Sequence, residues 1–215
     1  MTSAALPALP PLLDVAGTAV FALSGALAAA RMRQSFVTLA FFALVTGVGG
    51  GSVRDALIGV PAFWLASPWV APAVFAVALL AWFTPERIWP AGLLEWADAV
   101  GLAAFSALGT AKALALGVAP VPAIVLGVVT GCVGGIIRDV LAGVPSILMR
   151  PELYVTAAAL SATLYAMATL GGLPATVAWV MATVAGFALR GAAIVWKIEL
   201  PAYARLADGR RREEP

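Results

Sequence analysis

Apolar residues run through this chain in long blocks broken by short polar stops. The first block covers roughly Leu12 to Ala30 and ends at Arg31-Met32-Arg33. Its 19 residues span about 28 Å as a helix, close to the hydrocarbon thickness of a bilayer. A second block starts near Ser35 and reaches Gly47–Gly51. A short half-helix, Ser52 to Ile58, is expected after it, stopped by Gly59-Val60-Pro61. A third runs from Trp69 to Phe83 and a fourth from Glu95 to Leu116. The fifth runs from Val121 to Gly143 with a break at Gly134-Gly135, the sixth from Leu153 to Leu170 and the seventh from Pro174 to Trp196. The pattern predicts an all-α, polytopic membrane bundle of seven transmembrane helices. Residues 1–11 read as a disordered lead, and 197–215 as a solvated, partly disordered tail that touches anionic lipid.

One stretch occurs twice. Thr46-Gly47-Val48-Gly49-Gly50-Gly51-Ser52-Val53-Arg54-Asp55, with Pro61 beyond it, is matched by Thr130-Gly131-Cys132-Val133-Gly134-Gly135-Ile136-Ile137-Arg138-Asp139, with Pro145 beyond it. The copies lie 84 positions apart (Arg54 to Arg138). The same offset sets Asp14 on Asp98, Gly17 on Gly101, Phe21 on Phe105 and Gly25 on Gly109. Matches that keep Asp, Arg and Pro in phase imply a duplication: repeat one over 12–83, a loop at 84–95, and repeat two over 96–170. Three spans per repeat make the second copy enter from the other side. The repeats are then inverted, with the seventh helix (171–196) outside the symmetry.

Composition agrees. Of 215 residues, 62% are hydrophobic and 11% charged, with mean hydropathy +0.99, against roughly a quarter charged in soluble domains. The chain has no histidine and a single cysteine, Cys132. His-ligated metal, a Ser-His-Asp triad and an intramolecular disulfide are excluded. No cofactor, nucleic-acid partner or enzyme activity is expected. The glycine run lacks the Gly-Lys-Ser/Thr ending of a P-loop. Residues 1–11 hold no Lys or Arg, unlike the start of a secretory signal.

Charge placement sets the topology. Arg31, Arg33, Arg87, Arg150, Lys197, Arg205 and Arg210–Arg212 fall on one side, and the opposite loops hold no Lys or Arg. Basic loops stay in the cytoplasm, so the N-terminus is expected outside and the C-terminus inside, in a bacterial or archaeal plasma membrane. The seven tryptophans fall near span ends, where interfacial rings settle.

Charge and glycine inside an apolar segment are costly in lipid. A cluster of three glycines suggests a break in helices two and five that frees carbonyls on one side and amides on the other. Arg54 and Arg138 follow the breaks. Two roles stand open for Asp55 and Asp139: tying each Arg to spans one and four through Asp14 and Asp98, or serving the wall of a path. Lys112 either snorkels or lines that path, and Arg190 is expected to snorkel.

Seven spans, inverted triple-span repeats and a doubled Gly-Gly-x-x-Arg-Asp resemble the prokaryotic branch of the trimeric intracellular cation channel family, over residues 12–196. The resemblance implies a homotrimer in membrane lipid. It places a pore in each protomer, lined by kinked spans two and five with spans one and four. It implies passage of monovalent cations, K+ and Na+, chiefly potassium. Kinks would fall at Gly47, Gly49, Gly50, Gly51, Gly131, Gly134 and Gly135. Arg54, Arg138, Lys112, Asp55, Asp139, Thr46 and Thr130 would line the pore, with Asp14, Asp98, Pro61 and Pro145 supporting. The Lys-Glu-Val lipid motif of animal members is absent, so phosphoinositide binding does not carry over. Basic residues repel cations, and an alternative remains: a secondary transporter of a small amino acid such as glycine, resembling a bacterial group with the same motif.

Overall fold

A computed structural model describes residues 9–90 and 92–200, without the Glu86 side chain. The expectations for residues 1–8 and 201–215 lie outside the described residues. Helix α1 runs Pro11–Arg31, α2 Phe36–Ile58, and α3 is one turn, Phe63–Ala66. They are followed by α4 (Val70–Phe83), α5 (Leu93–Ala115), α6 (Pro120–Leu141), α7 (Val155–Leu170) and α8 (Ala175–Trp196). Pro stands at the first turn of α1 and of α6, where its missing N–H costs nothing. α1, α2, α6 and α8 are long and apolar enough to cross a membrane, while α4 and α7 are shorter apolar helices. No strand is assigned among the described residues, and an all-α membrane bundle is what the apolar blocks predicted.

The inverted repeat is visible in its contacts. Phe21 on α1 stacks on Phe105 of α5, with ring centroids 5.3 Å apart. Phe105 lies over Gly17, and Phe21 over Gly101. Contact of i with j mirrored by j with i is what a two-fold axis produces. Within the repeats, Gly25 sits against Thr46 in the first and Gly109 against Thr130 in the second.

The glycine clusters differ from expectation. Helical hydrogen bonding runs without interruption from Phe36 to Ile58 and from Pro120 to Leu141. Ser52–Ile58 continues α2 and is not a separate half-helix. The reason is in the packing. A Cβ on Gly50 would run into the Thr130 carbonyl, and one on Gly134 would lie 2.5 Å from the Thr46 carbonyl. α2 and α6 thus cross backbone to backbone, and glycine is the only residue that permits it. A neighbouring backbone fills the space that a missing side chain leaves, so the helix keeps its bonds.

Both helices stop by one device. Val60 N–H donates to the Asp55 carbonyl and Val144 N–H to the Asp139 carbonyl, with Gly59 at φ 81° and Gly143 at φ 66°. This is the glycine-terminated helix end that the Gly-Val-Pro signal predicts.

Candidate functional site

Two charged clusters lie at opposite ends of the α2–α6 crossing. In the first, Arg54 Nε donates to Asp55 Oδ1 at 2.8 Å, and Phe63 N–H donates to Asp55 Oδ2 at 2.8 Å. In the second, Arg138 Nε donates to Asp139 Oδ1 at 2.9 Å, and Ile147 N–H to Asp139 Oδ2 at 2.8 Å. Phe63 and Ile147 are themselves 84 positions apart. Each Asp therefore fixes its arginine and also anchors the turn after the helix, to α3 in repeat one and to the 3₁₀ turn Ile147–Met149 in repeat two. All four side chains are buried, and a buried ion needs the partner that each has here.

Beyond that shared core the clusters differ. Arg138 Nη1 donates to Asp98 Oδ1 at 2.7 Å and to Ser24 Oγ at 3.1 Å. The tie to span four through Asp98 is thus made. A Cβ at Gly135 would meet Tyr154 Oη at 2.7 Å and Asp98 Oδ1 at 3.0 Å, which packs Tyr154 into the same cluster. Arg54 makes no matching bond to Asp14: its Nη1 and Nη2 are buried with no hydrogen-bond partner. Instead Lys112 Nζ, on α5, reaches Asp55 at 2.9 Å and 3.0 Å. Lys112 therefore does not stand alone; it joins the Arg54–Asp55 pair as a third member. Arg54 and Lys112 both approach the Phe63 ring, at 5.7 Å and 5.9 Å, which adds cation–π attraction.

Around Arg54 and Lys112 stand Asp55 and Asp14, two cations against two carboxylates. Around Arg138 stand Asp98 and Asp139, one cation against two. Each cluster adjoins a cavity. Asp14 and Lys112 line one of about 290 Å³, with Leu108, Ala111 and Leu116. Asp98, Arg138 and Asp139 line another of about 230 Å³, which also touches Arg31, Glu95 and Arg150. Thr46 and Thr130 lie between the clusters at the glycine crossing, both buried. Thr130 Oγ1 donates to the Leu126 carbonyl, and Thr46 Oγ1 has no partner. Pro61 and Pro145 follow the helix-ending turns, outside the clusters.

Several partners had no sequence signal. Ser24 has Leu108 as its repeat equivalent and Tyr154 has Val70, so neither stands out at the 84-residue offset. Phe63 and Ile147 could have been found by that offset. Arg190 corrects an expectation. It does not snorkel but is 1% exposed, donates from Nη2 to Glu152 Oε2 at 2.7 Å and lies over the Tyr154 ring at 5.4 Å. A carboxylate in the loop before α7 holds it inside. No group of metal-ligating side chains occurs among the described residues.

These features define a class: a multi-pass helical membrane protein built on an inverted repeat, with a buried charge cluster toward each face. A family model described as glycine transporter matches the chain twice, over residues 11–86 and 95–170. The inner membrane protein YadS of Escherichia coli is 39% identical over 203 residues, covering 92% of this chain and 98% of that protein. A membrane protein of Vibrio cholerae is 37% identical over 199 residues, covering 90% and 82%. Among solved structures, a trimeric intracellular cation channel orthologue from Rhodobacter sphaeroides superposes with TM-score 0.80 at 38% identity, covering 87% of this chain and 97% of that one. A second channel of that family superposes with TM-score 0.79 at 27% identity, covering 92% and 98%. The chain belongs to the prokaryotic trimeric intracellular cation channel family. The structures it matches are channels, not enzymes, and its relatives are named as membrane proteins.

Proposed function

We propose that this chain is a monovalent cation channel, chiefly for potassium, assembled as a homotrimer with a pore in each protomer. α2 and α6 line the pore together with α1 and α5. The N-terminus lies outside and the C-terminus in the cytoplasm of a bacterial or archaeal plasma membrane. The observation that carries this reading is the balance of charge in the two clusters. Carboxylates equal the cations around Arg54, and they do so again along the cavity beside Arg138, where Asp98, Asp139 and Glu95 stand against Arg138, Arg31 and Arg150, so the arginines do not make the path anion-selective. Each cluster also opens to its own cavity, one toward each face, with the glycine crossing between them. At that crossing Gly50 packs on Thr130 and Gly134 on Thr46. Conduction requires these helices to part, and a stretch with no side chain between the backbones lets a small shift open it.

A second reading, transport of a small amino acid, has one specific support: the description of the family model. In such a molecule Arg54 or Arg138 would take the carboxylate and Asp14 or Asp98 the ammonium.

Liposomes loaded with KCl separate the two. Potassium efflux without an added potassium ionophore, read as the proton uptake that it drives through a protonophore, is the expected result. Saturable uptake of labelled glycine with no potassium leak would overturn the channel reading.

A further inference from the structure

The turns that follow α2 and α6 are pinned in different ways. In repeat one, Trp64 Nε1 donates to Ser52 Oγ at 3.0 Å and ties α3 back to α2. The equivalent positions in repeat two are Leu148 and Ile136, whose side chains have no hydrogen-bonding group. There the tie comes from outside the repeat. After α8 the chain turns at Lys197, in the left-handed region at φ 50°, with Ile198 N–H on the Ala193 carbonyl. Glu199 then forms an antiparallel bridge with Glu152, and Leu200 N–H donates to the Pro151 carbonyl at 2.6 Å.

The segment that this tie meets is anchored at both ends. Ile147 N–H is held by Asp139, and the Glu152 carboxylate takes Arg190 Nη2, whose Nε and Nη1 are buried without another partner. Leu148, Met149, Arg150 and Pro151 lie between. Pro151 and Leu200 are exposed. One neutral backbone bond at the surface is weaker than a buried, charge-assisted one, so the anchors hold and the Leu200 tie is the one that releases. The segment carries Arg150, which lines the cavity of about 230 Å³ with Asp98, Arg138 and Asp139. Arg150 also lines a cavity of about 270 Å³ with Glu152, Lys197 and Glu199. Its Nη1 stands 3.8 Å from Glu152 Oε1 and its side chain is 48% exposed, too loose and wet a pair to fix it in place.

We propose that the Leu200–Pro151 tie is a releasable latch that holds Arg150 at the cavity beside the Arg138 cluster. With the latch shut, Arg150 is one of three cations facing three carboxylates along that cavity. With it released, Leu148–Pro151 moves between its two anchors and takes Arg150 toward solvent. Asp98, Asp139 and Glu95 then outnumber Arg138 and Arg31, which favours a cation there. The chain beyond α8 thereby controls a cavity to whose lining it adds no side chain. The effect on ion passage rests on the channel reading; the latch does not.

Leu200→Pro removes the amide, and Leu200→Ala keeps it. Hydrogen–deuterium exchange of the purified protein reads the latch at the Met149 and Arg150 amides, which bond to the Ser146 and Ile147 carbonyls of the same turn. Exchange there is expected to be about fivefold faster in Leu200→Pro, the worth of one backbone bond, and unchanged in Leu200→Ala. A chain ending at Ile198 should exchange as Leu200→Pro does. Parental exchange in both Leu200→Pro and the shortened chain overturns the latch. So does loss of assembly by size-exclusion chromatography in both, which would make residues 199–200 a structural support. Potassium flux from liposomes reads the role of Arg150. Flux rises severalfold in Leu200→Pro and in Arg150→Gln, and the two changes together add nothing further. Parental flux in Leu200→Pro despite faster exchange, or an increment that persists beside Arg150→Gln, overturns that role. Absence of potassium flux from the parent protein sinks the channel reading, and the exchange result still decides the latch.

Discussion

Asp55 and Asp139 each serve two masters, a neighbouring arginine and a backbone amide eight residues on. That arrangement explains how an ionised pair survives in an apolar bundle. Every oxygen is occupied, and the same bonds end the helix and fold back the next turn. The two arginines are not equivalent in consequence. Arg138→Ala leaves Asp98 and Asp139 buried with their main cation gone, which costs about 3–5 kcal/mol. Arg54→Ala leaves Asp55 with Lys112 and the Phe63 amide, and the loss is expected to be clearly smaller. Thermal melts of the purified variants check this, and equal losses would contradict it. The doubled Arg-Asp was legible in the sequence because both copies carry it in phase. The Arg138–Asp98 tie was legible for the same reason. Its counterpart, Arg54–Asp14, is not formed, because Lys112 has no equivalent in repeat one (Ala28 stands there) and takes the place beside Asp55. An asymmetry of that kind does not show in a repeat alignment.

At the scale of helices, the glycine clusters are contact surfaces. Glycine in an apolar span signals either a weak helix or a close neighbour, and composition alone does not separate them. The α2–α6 crossing decides for the neighbour, which is why the expected half-helix Ser52–Ile58 is absent. Neighbouring glycines should therefore differ in tolerance. A Cβ on Gly50 meets the rigid Thr130 carbonyl, whereas one on Gly49 meets the tip of the Ile137 side chain, 2.7 Å away, which can turn aside. Gly50→Ala is expected to cost about 1–3 kcal/mol through overpacking, and Gly49→Ala much less. Urea or thermal stability of the pair of variants is the check. Equal tolerance would mean that the crossing does not depend on backbone contact. Helix bounds were read within about two residues for most spans, as apolar block length and Pro or Gly stops fix them well.

For the molecule as a whole, the repeat sets the layout: two halves related by a two-fold axis, a charge cluster toward each face, and the lone helix α8 added to one half. α8 shapes more than the sequence suggested. It carries Arg190, which turns inward to Glu152 and Tyr154. The sign of a charge is visible in a sequence, but whether it points to lipid, water or a partner depends on a carboxylate that can be 38 positions away, as Glu152 is from Arg190. Glu152→Gln should therefore destabilise the fold by leaving a buried guanidinium without its counter-ion, on the order of 3 kcal/mol. A stability like that of the parent would show that Arg190 finds another partner.

The central claim, a cation path past two balanced charge clusters, is tested most directly by single-channel recording in planar bilayers. The purified protein is placed under a KCl gradient beside Lys112→Gln. Lys112 is partly exposed at the cavity of the Arg54 cluster, so its loss tips that cluster to net negative charge without emptying the core. The account predicts unitary currents that reverse near the potassium equilibrium potential, with larger potassium conductance and the same reversal in Lys112→Gln. Reversal near the chloride potential, or no unitary current from either protein, would contradict it.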